Sequence, residues 1–202
     1  MGMGSVLETT SNGWTALHLA AKFGFLNIVG QLDKMYPRLV CATDLRGRTA
    51  MHHATGTGGN LAVIELLNRA HPLLVHKTDQ NGCTCLHHAC DNGTYFEGLV
   101  FGNFGRRGSV VLHFVEFLVR AYPSLASVRD KTGQTALHYA ARYERSTEIT
   151  ELLERVLQQV FLPHQFARLA GVQDNEQRTY RDYAQLTGLR RASGFRDFGR
   201  TS

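Results

Sequence analysis

A pattern of eight residues, which starts with glycine and ends with alanine, occurs four times along this 202-residue chain. The copies start at Gly13, Gly47, Gly82 and Gly133, so successive copies lie 34, 35 and 51 residues apart. In each copy the third residue is threonine and the sixth is histidine. A period of about 20–50 residues is typical of a solenoid, in which each unit covers the apolar face of its neighbour.

Two further residue types keep the same register. An aspartate lies three residues before each of the last three glycines, and a proline lies seven residues before each aspartate. These residues are Asp44, Asp79 and Asp130, and Pro37, Pro72 and Pro123. Aspartate and glycine favour a tight turn, threonine favours a helix N-terminus, and proline ends a helix. The order of these signals predicts a turn and a pair of helices in each unit.

The apolar residues between the copies have helical spacing. In the first unit they are Leu26, Ile28, Val29 and Leu32, and in the second they are Leu61, Val63, Ile64, Leu66 and Leu67. Such spacing places them on one face of a second helix, which only a neighbouring unit can cover.

These motifs resemble the ankyrin repeat, whose signature Thr-Pro-Leu-His-x-Ala is matched four times as Thr-(Ala/Cys)-(Leu/Met)-His-x-Ala. A degenerate fifth copy occupies residues 179–184, preceded in phase by Asp174. The resemblance implies an all-α repeat solenoid, in which ankyrin-type helix-turn-helix repeats are joined by β-hairpin-like loops. It implies one domain over residues 1–189, with repeats near 10–43, 44–78, 79–129, 130–173 and 174–189 and a basic, flexible tail at 190–202.

Several features depart from the family pattern. Alanine or cysteine replaces the signature proline, and the Gly-Ala after the second helix is replaced by Tyr36-Pro37 and its counterparts. We therefore expect slightly longer loops within the usual fold. The fifth copy is expected to cap the stack, because a terminal repeat needs a polar outer face. The abrupt start of the array near Asn12 leaves open that further residues precede it.

The 51-residue step predicts an insertion near residues 94–110, between the two helices of the third repeat. This segment is rich in glycine and aromatic residues and carries Arg106 and Arg107. It is either a loop with its own function or a tolerated insertion that packs on the stack. Ser109 follows the two arginines as in substrates of basophilic kinases, so we consider it a phosphorylation candidate.

Three cysteines and two histidines crowd into residues 83–90, and both types are zinc ligands. The repeat register favours a different interpretation. Cys85 occupies the alanine position of the other copies, and His87 is the signature histidine. Because buried free cysteine behaves as a small hydrophobe, we expect these residues to be structural, with a metal site as the alternative.

The ten histidines do not indicate catalysis. Four of them (His18, His52, His87 and His138) hold a repeat position with a helix-capping role, and no serine or cysteine nucleophile is paired with histidine and aspartate at a recognisable spacing. We therefore predict that the chain is not an enzyme and needs no cofactor.

In the ankyrin family, partners usually dock on the concave face made by the hairpin tips and the first helices. The resemblance therefore implies that partners bind the residues of this chain at the same positions of each repeat. These residues include aromatic and arginine side chains, which dominate the binding energy of interfaces. The set is Trp14, Lys22, Phe23, Arg46, Arg48, Gln80, Asn81, Asp91, Asn92, Lys131, Gln134, Arg142 and Tyr143. The cations predict an acidic or mixed-charge partner segment. Trp14 is alternatively a cap on the exposed first repeat.

The remaining composition sets limits on function. No apolar run is long enough to span a membrane, no secretory signal is recognisable, and the four cysteines fit a reducing compartment. The net charge of +5 is weak evidence for nucleic acid. We predict a protein–protein interaction scaffold in the cytoplasm, with the nucleus as an alternative and without nucleic-acid or membrane partners. The alternative function is a regulatory subunit or fragment of a larger enzyme or signalling protein.

Overall fold

The computed structural model describes residues 8–56, 61–91, 104–142 and 147–186. Within these ranges the chain forms ten α-helices and three 3-10 helices, and none of these residues is in a β-strand. The α-helices are α1 (Ala16–Phe23), α2 (Leu26–Met35), α3 (Ala50–Thr55), α4 (Leu61–Ala70), α5 (Cys85–Asp91), α6 (Phe104–Ala121), α7 (Ala136–Ala141), α8 (Thr147–Val160), α9 (Pro163–Ala170) and α10 (Tyr180–Leu186). The 3-10 helices are η1 (Pro37–Cys41), η2 (Pro72–His76) and η3 (Pro123–Ser127).

The helices stack in two layers. The first helices of successive repeats pack in the order α1, α3, α5, α7 and α10, while α2 packs on α4 and α6 packs on α8 in the second layer. Small residues allow the close approach of the first helices, since Ala50, Cys85 and Ala136 are almost completely buried. The prediction of an all-α repeat solenoid is confirmed.

The first helices start where the threonine predicts. Thr49 accepts a hydrogen bond from the backbone of the third helical residue, His52, and the His52 side chain bonds back to the backbone of Thr49. Thr15 and Thr135 make the same reciprocal pair with His18 and His138. This arrangement pairs amide groups that would otherwise lack partners at a helix N-terminus.

The turns before the first helices form a continuous row along one edge of the stack. One backbone N–H in each turn donates to a carbonyl of the preceding turn. The four bonds run from Leu45 to Asn12 (3.1 Å), from Gln80 to Arg46 (2.9 Å), from Lys131 to Asn81 (2.8 Å) and from Asn175 to Thr132 (2.9 Å). The turns therefore form one ladder that joins each repeat to the next.

In the first four turns a glycine takes the left-handed backbone conformation. At Gly82 φ is +82°, a left-handed conformation that side chains disfavour, and a Cβ there would lie 3.1 Å from the Lys131 amide nitrogen. In the fifth turn Gln177 takes this position, with φ of 61°. No further turn follows the fifth turn among the described residues. The Gln177 side chain therefore has no backbone of a following turn beside it, as Gly82 has at Lys131.

Replacing Gln177 with glycine is expected to stabilise the chain by about 0.5–1 kcal/mol, because relief of the left-handed strain exceeds the entropy that glycine loses on folding. The matched control is Gln173→Gly, at an exposed position without positive φ, which should destabilise the chain. Chemical denaturation followed by circular dichroism measures both changes. Equal effects of the two substitutions would contradict the role assigned to the backbone at Gln177.

The segments after the second helices differ from the expected longer loops. Longer loops were predicted at these points, but Pro37, Pro72 and Pro123 instead start the 3-10 helices η1 to η3. Proline suits the first position of a helix because its fixed φ and missing N–H cost nothing there. Each 3-10 helix buries its third residue (Leu39, Leu74 or Leu125), which anchors the return to the next turn.

The irregular segments differ in part from the sequence interpretation. Residues 92–103 lie outside the described part of the chain, whereas residues 104–110, predicted as part of an inserted loop, form the first turns of α6. Helix α8 ends at Val160, and Pro163 starts the further helix α9. The division into repeats at the predicted boundaries stays a prediction.

Candidate functional site

The signature histidines join each repeat to the next one. His52 Nδ1 accepts from the Thr49 backbone N–H at 3.1 Å, and His52 Nε2 donates to the Cys83 carbonyl in the following turn, also at 3.1 Å. An amide only donates and a carbonyl only accepts, so these partners require the neutral imidazole with its proton on Nε2. The other three links join His18 to the Arg48 carbonyl (3.1 Å), His87 to that of Gln134 (3.3 Å) and His138 to that of Arg178 (3.2 Å).

Burial keeps these imidazoles neutral. It lowers the pKa of His52 and of His87 to about 4, and it also lowers the pKa values of His18 and His138. With both ring nitrogens bonded to backbone groups, none of the four has a nitrogen available for proton transfer to a substrate. The predicted helix-capping role of these histidines is confirmed.

The turn aspartates make a second set of links that sequence reasoning missed. Asp44 Oδ1 accepts from the backbone N–H groups of Arg46 and Arg48, each at 2.9 Å, as its place in the turn predicts. Its other oxygen, Oδ2, bonds to His53 Nε2 at 3.0 Å. His88 takes the place of His53 in the third repeat (3.0 Å to Asp79), Tyr139 in the fourth (2.8 Å to Asp130) and Tyr183 in the fifth (2.7 Å to Asp174).

A signal for this pairing is present in the sequence. The four residues directly follow the signature histidine or its counterpart, and they occur in the copies whose turn contains aspartate. The first copy has Thr10 in place of the aspartate and Leu19 in place of the partner, and Thr10 Oγ1 accepts from the Trp14 backbone N–H at 3.1 Å. The turn aspartate and its hydrogen-bonding partner thus occur together, and the first copy lacks both.

The turn tips present the exposed part of the predicted partner-binding set. Arg46, Gln80, Asn81 and Lys131 are exposed, and the ladder of backbone bonds holds them in one row. The turn aspartates are buried beneath the row, and the carboxylate of Asp44 is paired with the Arg48 guanidinium. Asp44 is buried, and although burial alone would raise its pKa, hydrogen bonds from Arg48 and His53 lower it to about 2.

An aromatic and cationic cluster lies at the first repeat. Lys22 Nζ lies 4.4 Å from the centroid of the Trp14 ring and 5.8 Å from that of Phe23. Trp14 packs edge-on against His53, and its Nε1 atom is buried without a hydrogen-bond acceptor in the described structure. Phe23 is 54% exposed. The cluster therefore combines an exposed apolar side chain with a cation.

Cations also stack on aromatic rings at the other end of the array. Arg142 lies 4.6 Å from the centroid of the Tyr139 ring, and Arg178 lies 4.6 Å from that of Tyr183. Sequence reasoning missed Arg178, although its position after Gln177 matches that of Trp14 after Gly13. Gln134 is buried, with Nε2 donating to the Tyr183 hydroxyl at 2.7 Å, so it orients neighbours and offers no contact surface.

The other members of the set differ in placement. Arg48 is half-buried and its guanidinium lies 2.8 Å from Asp44. Asp91 is half-buried; burial raises its pKa, while Arg142 and His88 lower it in part. Asn92 and Tyr143 lie outside the described residues. Ser109 lies within α6, but its side chain is outside the part of the structure that is described.

The cysteines of the third repeat have buried positions, as the register predicts. Cys85 and Cys90 are both completely buried, and burial raises the pKa of Cys85 to about 12 and also raises that of Cys90. Cys83 contacts the Tyr139 hydroxyl at 3.2 Å, and burial raises its pKa to about 12. Thiols in this state are poor nucleophiles and poor metal ligands.

Comparison with protein families agrees with this architecture. A model described as "Ankyrin repeats (3 copies)" matches residues 3–72, and one described as "Ankyrin repeat" matches residues 132–155. No curated protein matches the chain at a significant level. No helix in the described ranges is long and apolar enough to cross a bilayer. Ankyrin repeats generally mediate protein–protein interaction and are typically non-catalytic binding modules. The family matches show that this chain contains ankyrin repeats, in agreement with the repeated helix pairs of the structure.

Proposed function

We propose that this chain is a scaffold or adaptor that holds an acidic or mixed-charge segment of a partner protein along the row of turn tips. The observation that supports this most is the ladder of backbone bonds, which holds Arg46 and Lys131 on one exposed row while the turn aspartates are buried beneath it. Exposed cations of this kind attract carboxylates, and the exposed carboxylate of the fifth turn, Glu176, is paired with Arg178.

The ends of the row supply a different type of contact. Lys22 with Trp14 at one end, and Arg142 with Tyr139 towards the other, combine an aromatic surface with a cation. Aromatic and arginine side chains provide much of the binding energy at protein interfaces. A partner segment with acidic residues in its middle and apolar residues near its ends matches this arrangement.

Charge reversal on the row tests the proposal. The double variant Arg46→Glu and Lys131→Glu changes two exposed side chains, and we expect the amount of bound partner to fall at least about tenfold. Affinity capture from native extract with the immobilised full chain, followed by quantitative mass spectrometry, measures this loss.

The matched control reverses the same charge away from the row. Arg38→Glu and Arg69→Glu change exposed arginines on η1 and α4, and this variant should retain its partners. Equal thermal stability of the three chains shows that the fold is intact. Partners retained by the row variant, or lost equally from both variants, would refute the assignment of binding to the turn tips.

A further inference from the structure

The row of turn tips holds its two cations at a fixed separation. The Arg46 carbonyl accepts from the Gln80 N–H at 2.9 Å. The next residue, Asn81, accepts in turn from the Lys131 N–H at 2.8 Å. Residues joined by a backbone hydrogen bond have Cα atoms about 5.5 Å apart, and neighbours in the chain about 3.8 Å apart. Two such bonds and one peptide unit therefore place the Cα atoms of Arg46 and Lys131 about 15 Å apart.

Both cations are open to an acidic group of a partner. Arg46 and Lys131 are exposed, and neither is paired with a carboxylate among the described residues. The aspartates of the three turns between and beside them are buried, and Oδ1 of each accepts from two backbone N–H groups of its own turn. These aspartates are Asp44, Asp79 and Asp130.

The side chains between the two cations favour an extended partner. Gln80 and Asn81 are exposed, and their side-chain amides make no hydrogen bond within the described ranges. A side-chain amide both donates and accepts. An extended segment presents backbone N–H and C=O groups that need partners, whereas a helix bonds its own. The two amides therefore match an extended backbone that crosses the third turn.

The separation of the cations determines the spacing of the acidic residues. An extended chain advances about 3.3 Å per residue, and residues at even separations share one face. Residues four positions apart on that face are about 13 Å apart, and the long side chains of Arg46 and Lys131 can cover the remaining 2 Å or so. A spacing of two positions, about 7 Å, is too short, and one of six positions, about 20 Å, is too long.

We propose that the partner crosses this row as an extended segment with two acidic residues four positions apart, one paired with Arg46 and the other with Lys131. The inference rests on the proposed function, because it assumes that the turn tips bind the partner. It adds the conformation of the bound segment and the spacing of its acidic residues.

Selection from a random peptide library tests the spacing. The probe is a phage library of peptides of about 16 residues, long enough for extended and helical segments alike, selected on the immobilised full chain. Pairs of aspartate or glutamate four positions apart should be enriched at least about threefold over pairs three or five positions apart. A helical segment would instead space its acidic residues about eleven positions apart, which is about 16 Å along one helix face.

Moving one cation along the row provides a sharper test. The double variant Gln80→Lys and Lys131→Gln keeps the net charge and leaves the cations joined by a single hydrogen bond, about 5.5 Å apart. The preferred spacing should change from four positions to two. The matched control, Asn27→Lys with Arg69→Gln, moves a cation between exposed positions of the second helices and should keep the preference for four. Equal melting temperatures of the chains show that the fold is intact.

The outcomes separate this inference from the proposed function. Peptides that bind the Arg46→Glu and Lys131→Glu variant as well as the original chain would refute the proposed function, because binding would lie elsewhere. Peptides that need the two cations, but have acidic pairs at no fixed spacing or eleven positions apart, would overturn the extended segment alone. A preference for four positions that survives the move of the cation would also overturn it. Selection of no acidic peptides would refute both.

Discussion

Acidification from pH 7 to pH 5 is expected to destabilise this protein by about 5 kcal/mol, through three histidines alone. The pKa values of His52, His53 and His87 are lowered from 6.5 to about 4, chiefly by burial. Below pH 6.5 the unfolded chain therefore takes up protons that the folded chain does not. The stability that depends on these neutral imidazoles is complete above pH 6.5 and is lost as the pH falls to about 4.

Thermal unfolding at several pH values measures this loss, and the melting temperature should drop by more than about 10 °C between pH 7 and pH 5. His53→Gln keeps a donor for Asp44 but removes one titrating group, so it should reduce the pH dependence by about a third. His164→Gln, at an exposed position, serves as the control and should leave the dependence unchanged. A melting temperature that is constant over this range would show that the imidazoles are not held neutral.

Replacing Gly82 with alanine is expected to cost about 2–3 kcal/mol, the second largest effect among these predictions. The substitution imposes the left-handed strain at φ of +82° and brings Cβ within 3.1–3.4 Å of three backbone atoms of the next turn. Backbone atoms cannot rotate away as a side chain can, so the turn at Lys131 must shift and its bond to Asn81 must weaken.

Gly30→Ala is the matched control, because Gly30 lies inside α2 and a Cβ there meets only a Leu66 methyl group at an ordinary 3.5 Å. It should stabilise the chain by about 0.5–1 kcal/mol through helix propensity. Denaturant unfolding of the two variants gives the signs directly. A Gly82→Ala chain as stable as the original would mean that the turns do not depend on their close approach.

The sequence predicts the repeat architecture because its signals are local. Thr15, His18 and their counterparts fix the start of each first helix, and the turn glycines have no alternative with the same backbone freedom. The spacing of apolar residues predicts α2 and α4 for the same reason. Each of these features depends on residues that lie within about one helical turn of one another and are therefore close together in the sequence.

The features that escaped prediction join distant residues or depend on what covers a surface. The sequence places Gln134 in the partner-binding set, but Gln134 is buried, and its amide donates to the hydroxyl of Tyr183, 49 residues later. The exposure of Ile28 is equally invisible in the sequence, since Ile28 and the buried Val63 are similar residues in similar patterns. Their difference arises only from the presence or absence of a preceding repeat in the described structure.

The connections between repeats also determine how the protein opens. Each junction has one backbone bond at the turn tips and one imidazole bond beneath it, and both reach only the adjacent repeat. When the two bonds of one junction break, no other turn-tip bond or imidazole bond connects the two parts of the array. Amide hydrogen exchange should accordingly be slowest in the central repeats and faster towards either end, where fewer junctions must break before an amide meets water.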